Sequence, residues 1–212
     1  MEQITYTPLA IELDFVAIID CLSDDERTKY QITSQLEQDL KAKDIGYVTC
    51  LCKDKVRVIK FLTELLVKAK EGHKFCINFV SHGNEDCIGF KPSRESLNWD
   101  ELSTLLETIN VTLEGNLLLN IMSCFGLNGI KINDFKKKLF PCYGVIGSAN
   151  NLKMPDAKSI NKKFYHKLFD RVEINAIIPE IQAEVEIETG RKNVIYCITS
   201  QGYEFIQKNK AK

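Results

Sequence analysis

The 212-residue sequence has no uninterrupted apolar run of about 18 residues, the length a membrane-spanning helix needs. Its first residues lack the basic-then-apolar order of a secretory leader. Both absences lead to the expectation of a cytoplasmic protein with no membrane partner. Charge of one sign is missing too: 28 Lys and Arg stand against 29 Asp and Glu, for a net charge of −1. That balance gives no electrostatic reason to expect nucleic acid as a partner. The basic clusters, Lys136 to Lys138 and then Lys208, Lys210 and Lys212, are short and read as solvated surface. No C-x-x-C pair occurs among the eight cysteines, which removes the usual redox and zinc-ribbon signals. The thiols are therefore read as free, in a reducing compartment. Cys21, Cys50, Cys76 and Cys197 fall within apolar runs and read as small core residues. No Gly-rich phosphate loop follows the first apolar run, where Cys21-Leu22-Ser23-Asp24-Asp25 stands, and this argues against a nucleotide-binding domain. No repeat, low-complexity stretch or long linker divides the chain. One domain is expected over 1–212, with short flexible ends at 1–10 and 206–212 and no cofactor.

Short β-rich runs alternate with helical patterns. Strands are expected at 15–19, 47–52, 75–80, 117–122, 143–146 and 194–198, the last of undetermined direction. Helices are expected at 28–43, stopped by Gly46, and from Asp54 as cap to Gly72. Further helices are expected at 98–109, 133–139, 157–170 and 174–188, with a small hairpin near Cys87 to Phe90. Such alternation predicts an α/β fold: a three-layer sandwich, with about six mostly parallel strands and helices on both faces.

Two of these strands end in reactive residues. The third runs into Ser81-His82-Gly83, and the fourth into Ser123-Cys124-Phe125-Gly126. In open α/β sheets, ligands bind outside the carboxyl ends of the strands. If the two strands are parallel neighbours about 4.8 Å apart, an imidazole and a thiol share one sheet edge. A free thiol is only about 3% thiolate at neutral pH, and a nearby imidazole can take its proton and later return it to a leaving amine. Gly83 permits close backbone approach, and its N–H and that of Cys124 are the candidate oxyanion donors. A backbone carbonyl would serve as partner for the second nitrogen of His82.

The same residues resemble a family. Phe79-Val80-Ser81-His82-Gly83 resembles the caspase segment in which a strand runs into Ser-His-Gly. Leu117 to Gly126 resembles the strand that leads to the caspase nucleophile; Cys124 and Gly126 match, while Met122 and Phe125 depart. Val145-Ile146-Gly147-Ser148, Pro155-Asp156-Ala157 and Phe164-Tyr165-His166-Lys167-Leu168 resemble the CHAT peptidases, bacterial caspase relatives also akin to separase. The resemblance covers about residues 13–170. It implies a caspase-like cysteine endopeptidase that cleaves a protein or peptide substrate, with His82 and Cys124 catalytic and a possible bacterial regulatory or antiviral-defence role. A chain of this size is expected to carry no regulatory domain of its own, so an activating partner protein or a homo-oligomer is expected to control it. Met122 replaces the glutamine that helps hold an acidic P1 side chain, so aspartate specificity is not expected. Asp156 matches an acidic position that would face a basic P1 residue, with a helix cap as the alternative. Ser148 and Asp25 are further candidates for substrate contact, Asp25 belonging to the acidic run Asp24-Asp25-Glu26.

Other readings compete. A caspase-like fold without catalysis would be a scaffold or protein-binding module. His73, Cys76, His82 and Cys87 crowd into a short stretch and mimic a metal-ligand set, but Cys76 lies inside a strand and its spacing suits no compact tetrahedral site.

Overall fold

A computed structural model describes residues 13–133, 140–170 and 174–210 of the chain. In chain order the first half comprises β1 (Phe15–Asp20), α1 (Asp24–Tyr30), α2 (Ile32–Ala42), β2 (Gly46–Leu51), α3 (Lys55–Lys70), β3 (Phe75–Val80), β4 (His82–Gly83), β5 (Cys87–Phe90), β6 (Glu95–Asn98) and α4 (Trp99–Thr112). The second half comprises β7 (Leu118–Met122), a 3₁₀-helix (Gly126–Ile132), β8 (Gly144–Gly147), α5 (Met154–Phe169), α6 (Ile174–Thr189), β9 (Tyr196–Thr199) and α7 (Ser200–Lys210).

The central sheet has six strands in the order β2-β1-β3-β7-β8-β9. All neighbours are parallel except β8 and β9, which settles the direction of the last strand as antiparallel. The inner strands β1, β3 and β7 are covered on both faces, which is why they read as continuous apolar runs rather than alternating ones. Ala17, Ile19, Ile77, Phe79, Leu119 and Ile121 pack on one side against Val58, Leu62 and Leu65 of α3 and Leu102, Leu106 and Ile109 of α4. Val16, Ile18, Cys76, Val80, Leu118 and Met122 pack on the other, against α2, α5 and α6. The result is a three-layer α/β sandwich.

Polar residues tie α5 to the sheet through this apolar layer. Asn120 Nδ2 donates to Asn161 Oδ1 at 3.0 Å, and the Tyr165 hydroxyl donates to Asn78 Oδ1 at 3.4 Å. Asn78 and Asn120 face each other across β3 and β7, so the helix is registered against the two strands that lead to His82 and Cys124. Burial pushes the Tyr165 phenol well above its ordinary value, so it serves as a neutral hydrogen-bonding group.

Several local expectations are corrected. The helix expected at 28–43 is two helices, α1 and α2, separated at Gln31, whose φ of 52° is left-handed. The break arises because a helix already starts at Asp24 under a capping box: the Ser23 hydroxyl accepts from Glu26 N while Glu26 accepts from Ser23 N. Gly46 does not stop α2; Asp44, at φ 55°, makes that turn. Gly46 opens β2, where a Cβ would fall 2.7 Å from the Asp14 carbonyl oxygen. The helix expected at 133–139 lies outside the described residues save for Asn133, while a 3₁₀-helix precedes it at Gly126–Ile132. Residues 206–210, expected as part of a flexible end, belong to α7, whose Ser200 hydroxyl donates to the Cys142 carbonyl at 2.6 Å.

Phe79 is fully buried between β3 and the α3–α4 layer. Phe79→Ala is expected to cost about 3–5 kcal/mol of unfolding free energy, read from urea denaturation, because the packed layer cannot collapse into the space of a phenyl ring.

Candidate active site

The site starts from the pairing of two strands. β3 and β7 are parallel neighbours in a register that sets Val80 opposite Met122. Ser81 N–H extends the ladder by donating to the Met122 carbonyl at 3.4 Å. His82 and Cys124 each stand two residues beyond that last matched pair, at the carboxyl edge of the sheet. The chain past β3 then turns into a small antiparallel sheet, with His82 opposite Gly89, Gly83 opposite Ile88, and β6 completing it. Gly83 lies directly on the other segment. A Cβ there would fall 2.8 Å from the Cys124 carbonyl oxygen and 2.8 Å from Ser123 Oγ, so any larger residue would force the two segments apart.

The turn that carries Cys124 is tightly specified. Phe125 is left-handed at φ 56°, and Gly126 N–H donates back to the Ser123 carbonyl at 3.2 Å. A Cβ on Gly126 would overlap the Ile121 carbonyl, which explains the glycine two residues after the cysteine. The loop after β8 clasps this turn from the far side. Phe125 N–H donates to the Asn150 carbonyl at 2.9 Å, and Leu127 N–H to the Ser148 carbonyl at 3.0 Å. The Cys124 sulfur accepts from Leu152 N–H at 3.4 Å and lies 3.7 Å from the Leu152 carbonyl. The thiol is half-buried.

The imidazole has a different partner. His82 Nε2 donates to Glu26 Oε1 at 2.9 Å, a carboxylate delivered by the first turn of α1. Glu26 Oε2 is engaged by the Ser23 N–H at 3.0 Å and the Ser23 hydroxyl at 2.8 Å. Burial alone would raise the Glu26 carboxyl, but the hydrogen bonds from Ser23 and the His82 ring outweigh it and hold the group below its ordinary value. Glu26 is thus an anion at neutral pH. Within the acidic run Asp24-Asp25-Glu26 the sequence points to Asp25 as the substrate-contact candidate, whereas the structure brings Glu26 to the histidine. The signal was present as Ser23-x-x-Glu26, a capping-box pattern. Among the described residues His82 and Cys124 share no hydrogen bond: the ring is held by Glu26 and the sulfur by Leu152.

The remaining sequence candidates are placed unevenly. Ser148 belongs to the clasping loop, with Oγ accepting from Asn150 N–H at 3.2 Å. Asp156 is buried in the first turn of α5, four residues after Leu152, and its carboxylate is held by the Arg191 guanidinium. The N-cap of α5 is Lys153, so Asp156 does not cap the helix. Asp25 stays exposed on α1, beside the glutamate that reaches the histidine. The crowded His and Cys residues diverge: His73 pairs with Asp14 at 3.6 Å, and Cys76 is buried against Tyr165. No group of three His, Cys, Asp or Glu suited to a metal ion occurs among the described residues. A separate cleft of about 380 Å³ is lined by Asp20, Arg27, Thr33, Glu37, Thr49 and Leu51. Its buried Asp20 is engaged by Arg27 at 3.1 Å and by the Thr33 hydroxyl at 2.6 Å.

The thiols separate by environment. Burial pushes Cys50, Cys76, Cys142 and Cys197 up to about 12, and the Cys21 contact together with burial raises Cys52 further. Cys87 and Cys124 are partly exposed, as is Cys197, whose thiol burial pushes up. Iodoacetamide treatment of the folded protein, mapped by mass spectrometry, is expected to label Cys124 and Cys87. Cys21, Cys50, Cys52, Cys76 and Cys142 should stay protected until denaturant is added. Gly83→Ala should lower stability by about 1–3 kcal/mol in urea denaturation, since the added methyl meets the Cys124 carbonyl, which cannot swing away, as well as the Ser123 side chain.

In comparisons with known proteins, no family model and no curated protein matches the chain.

Proposed function

We propose that the protein is a caspase-like cysteine endopeptidase, with Cys124 as nucleophile and His82 as general acid and base. The observation that carries this reading is the contact of Gly83 with Ser123 and Cys124, which brings the His-Gly and Cys-x-Gly segments together at one sheet edge. The resemblance of both segments to caspases, and of the stretch after β8 to CHAT peptidases, supports the same conclusion.

In this mechanism His82 takes the proton of Cys124, and the sulfur attacks the carbonyl carbon of the scissile peptide bond. The C–N bond breaks as the imidazolium returns the proton to the leaving amine, which leaves a thioester on Cys124. Water, deprotonated by His82, then cleaves the thioester and restores the thiol. The Gly83 and Cys124 N–H groups serve as donors to the oxyanion in both steps. The sulfur exchanges its hydrogen bonds with Leu152 for the imidazole when substrate seats, as catalytic hydrogen bonds often tighten only in the complex. Ser148 belongs to the clasping loop, and Asp156 stands four residues after Leu152 in the first turn of α5. A basic P1 residue would have to displace Arg191 from Asp156. The eight free thiols suit a reducing cytoplasm. No helix among the described residues is long and apolar enough to cross a membrane. Control by a partner protein or by self-association, and a bacterial defence role, complete the proposal.

Cys124→Ala and His82→Ala should each reduce cleavage of a peptide library by at least about 100-fold while the circular dichroism and thermal melt stay those of the wild type. Full proteolysis by either variant refutes the peptidase reading. If wild type and Cys124→Ala instead take up equal iodoacetamide label and neither cleaves, the fold acts as a scaffold.

A further inference from the structure

We infer that Glu26 is a positioning residue for His82, so that the site operates as a Cys124–His82–Glu26 triad; this rests on the peptidase reading above. The argument begins with the two oxygens of one carboxylate. Oε2 closes the capping box with the Ser23 N–H and hydroxyl, at 3.0 and 2.8 Å. That fixes the Glu26 side chain at the third position of α1 and leaves Oε1 directed at His82 Nε2, 2.9 Å away. A side chain committed only to helix capping would need no imidazole. Conversely, the histidine is 38% exposed on its side chain, yet its ring is held by a carboxylate that is only 19% exposed.

The placement has a chemical consequence. A carboxylate accepts but cannot donate, so in its neutral form the ring carries its proton on Nε2, which leaves the Nδ1 lone pair as the acceptor for the Cys124 proton. As the thiol proton arrives at Nδ1, the Glu26 charge stabilises the imidazolium without taking its proton. The other charges nearby are already committed. On α1, Arg27 pairs with Asp20 at 3.1 Å and with Asp24 at 2.6 Å. From the end of β2, Lys53 reaches Asp24 at 3.8 Å. Asp25 remains exposed. Glu26 is therefore the one acidic group in contact with the ring among the described residues. No residue of helix α1 is fully buried, and apart from Tyr30, which packs partly buried against the apolar layer, its attachment to the site runs through these polar contacts.

Glu26→Gln is the informative variant, because glutamine preserves the capping box while removing the charge. It should melt like the wild type, lower kcat on the order of 10-fold to 100-fold with little change in KM, and move the pH profile of Cys124 alkylation to higher pH. Glu26→Asp should recover part of the loss. In the full chain carrying Cys124→Ala, ¹⁵N shifts of the His82 ring should report the Nε2-protonated tautomer, and Glu26→Ala in that background should abolish that preference. An Nδ1-protonated ring, or a Glu26→Gln protein with wild-type alkylation profile and kcat, overturns the assignment. The tautomer and alkylation readouts need no substrate. They therefore separate failure of the Glu26 role from failure of the peptidase reading, which is judged by Cys124→Ala and His82→Ala alone.

Discussion

The in-register parallel pairing of β3 with β7 is the constraint on which the rest of the site depends. Side chains alternate across a sheet, so a slip of one residue would turn each strand's core set to the opposite face. Both faces are buried here, and the Phe79 and Ile121 sides would then exchange with the Val80 and Met122 sides. The hydrophobic layers therefore hold the register, and the register holds Ser81-His82-Gly83 level with Ser123-Cys124. Backbone approach does the remainder. Gly83 lies on Cys124 and Gly126 on the Ile121 carbonyl, and a Cβ on Gly147 would fall 2.6 Å from the Gly126–Leu127 peptide. These glycines let three chain segments converge where any side chain would separate them.

Around this rigid centre the polar parts are attached in different ways. The sulfur side is anchored by backbone hydrogen bonds between the Phe125–Leu127 turn and the Ser148–Leu152 loop. The imidazole side is anchored by α1, a short helix with no fully buried residue, held by the Ser23 box, by Arg27 on the buried Asp20 and by the partly buried Tyr30. Such polar attachments are individually modest, so α1 belongs to the weaker end of the molecule's local stability, while β3 and β7 belong to the stronger. Ser81 Oγ and Ser123 Oγ are buried at the same edge without a hydrogen-bond partner in the described structure, a cost that proteins tend to accept at functional sites.

Asp156 illustrates how burial redefines a sequence motif. Read along the chain, an acid before an apolar helix is either a cap or a pocket for a base. In the folded chain it is 3% exposed in the first turn of α5 and receives the guanidinium of Arg191 from the loop before β9. The carboxylate thus joins the start of α5 to the far side of the sheet edge, and a buried acid is satisfied by a charge 35 residues away.

What the sequence by itself determined were the elements whose signal is local. Continuous apolar runs marked β1, β3 and β7, Asp54 marked the start of α3, and the Ser-His-Gly and Ser-Cys-Phe-Gly endings marked the candidate site. These are legible because strand burial and helix caps depend on neighbours within a few residues. The same local logic failed at α1, where a polar stretch with no apolar stripe gave no periodicity to read, and at Gln31, where a non-glycine residue adopts a left-handed turn. Only the tertiary structure decided that β9 runs antiparallel, that Leu152 holds the Cys124 sulfur, that Arg191 covers Asp156, and that Glu26 reaches His82. Each of those contacts joins side chains or strands far apart in the chain, 56 residues for Glu26 and His82, and is set by how the layers stack rather than by any pattern within a segment.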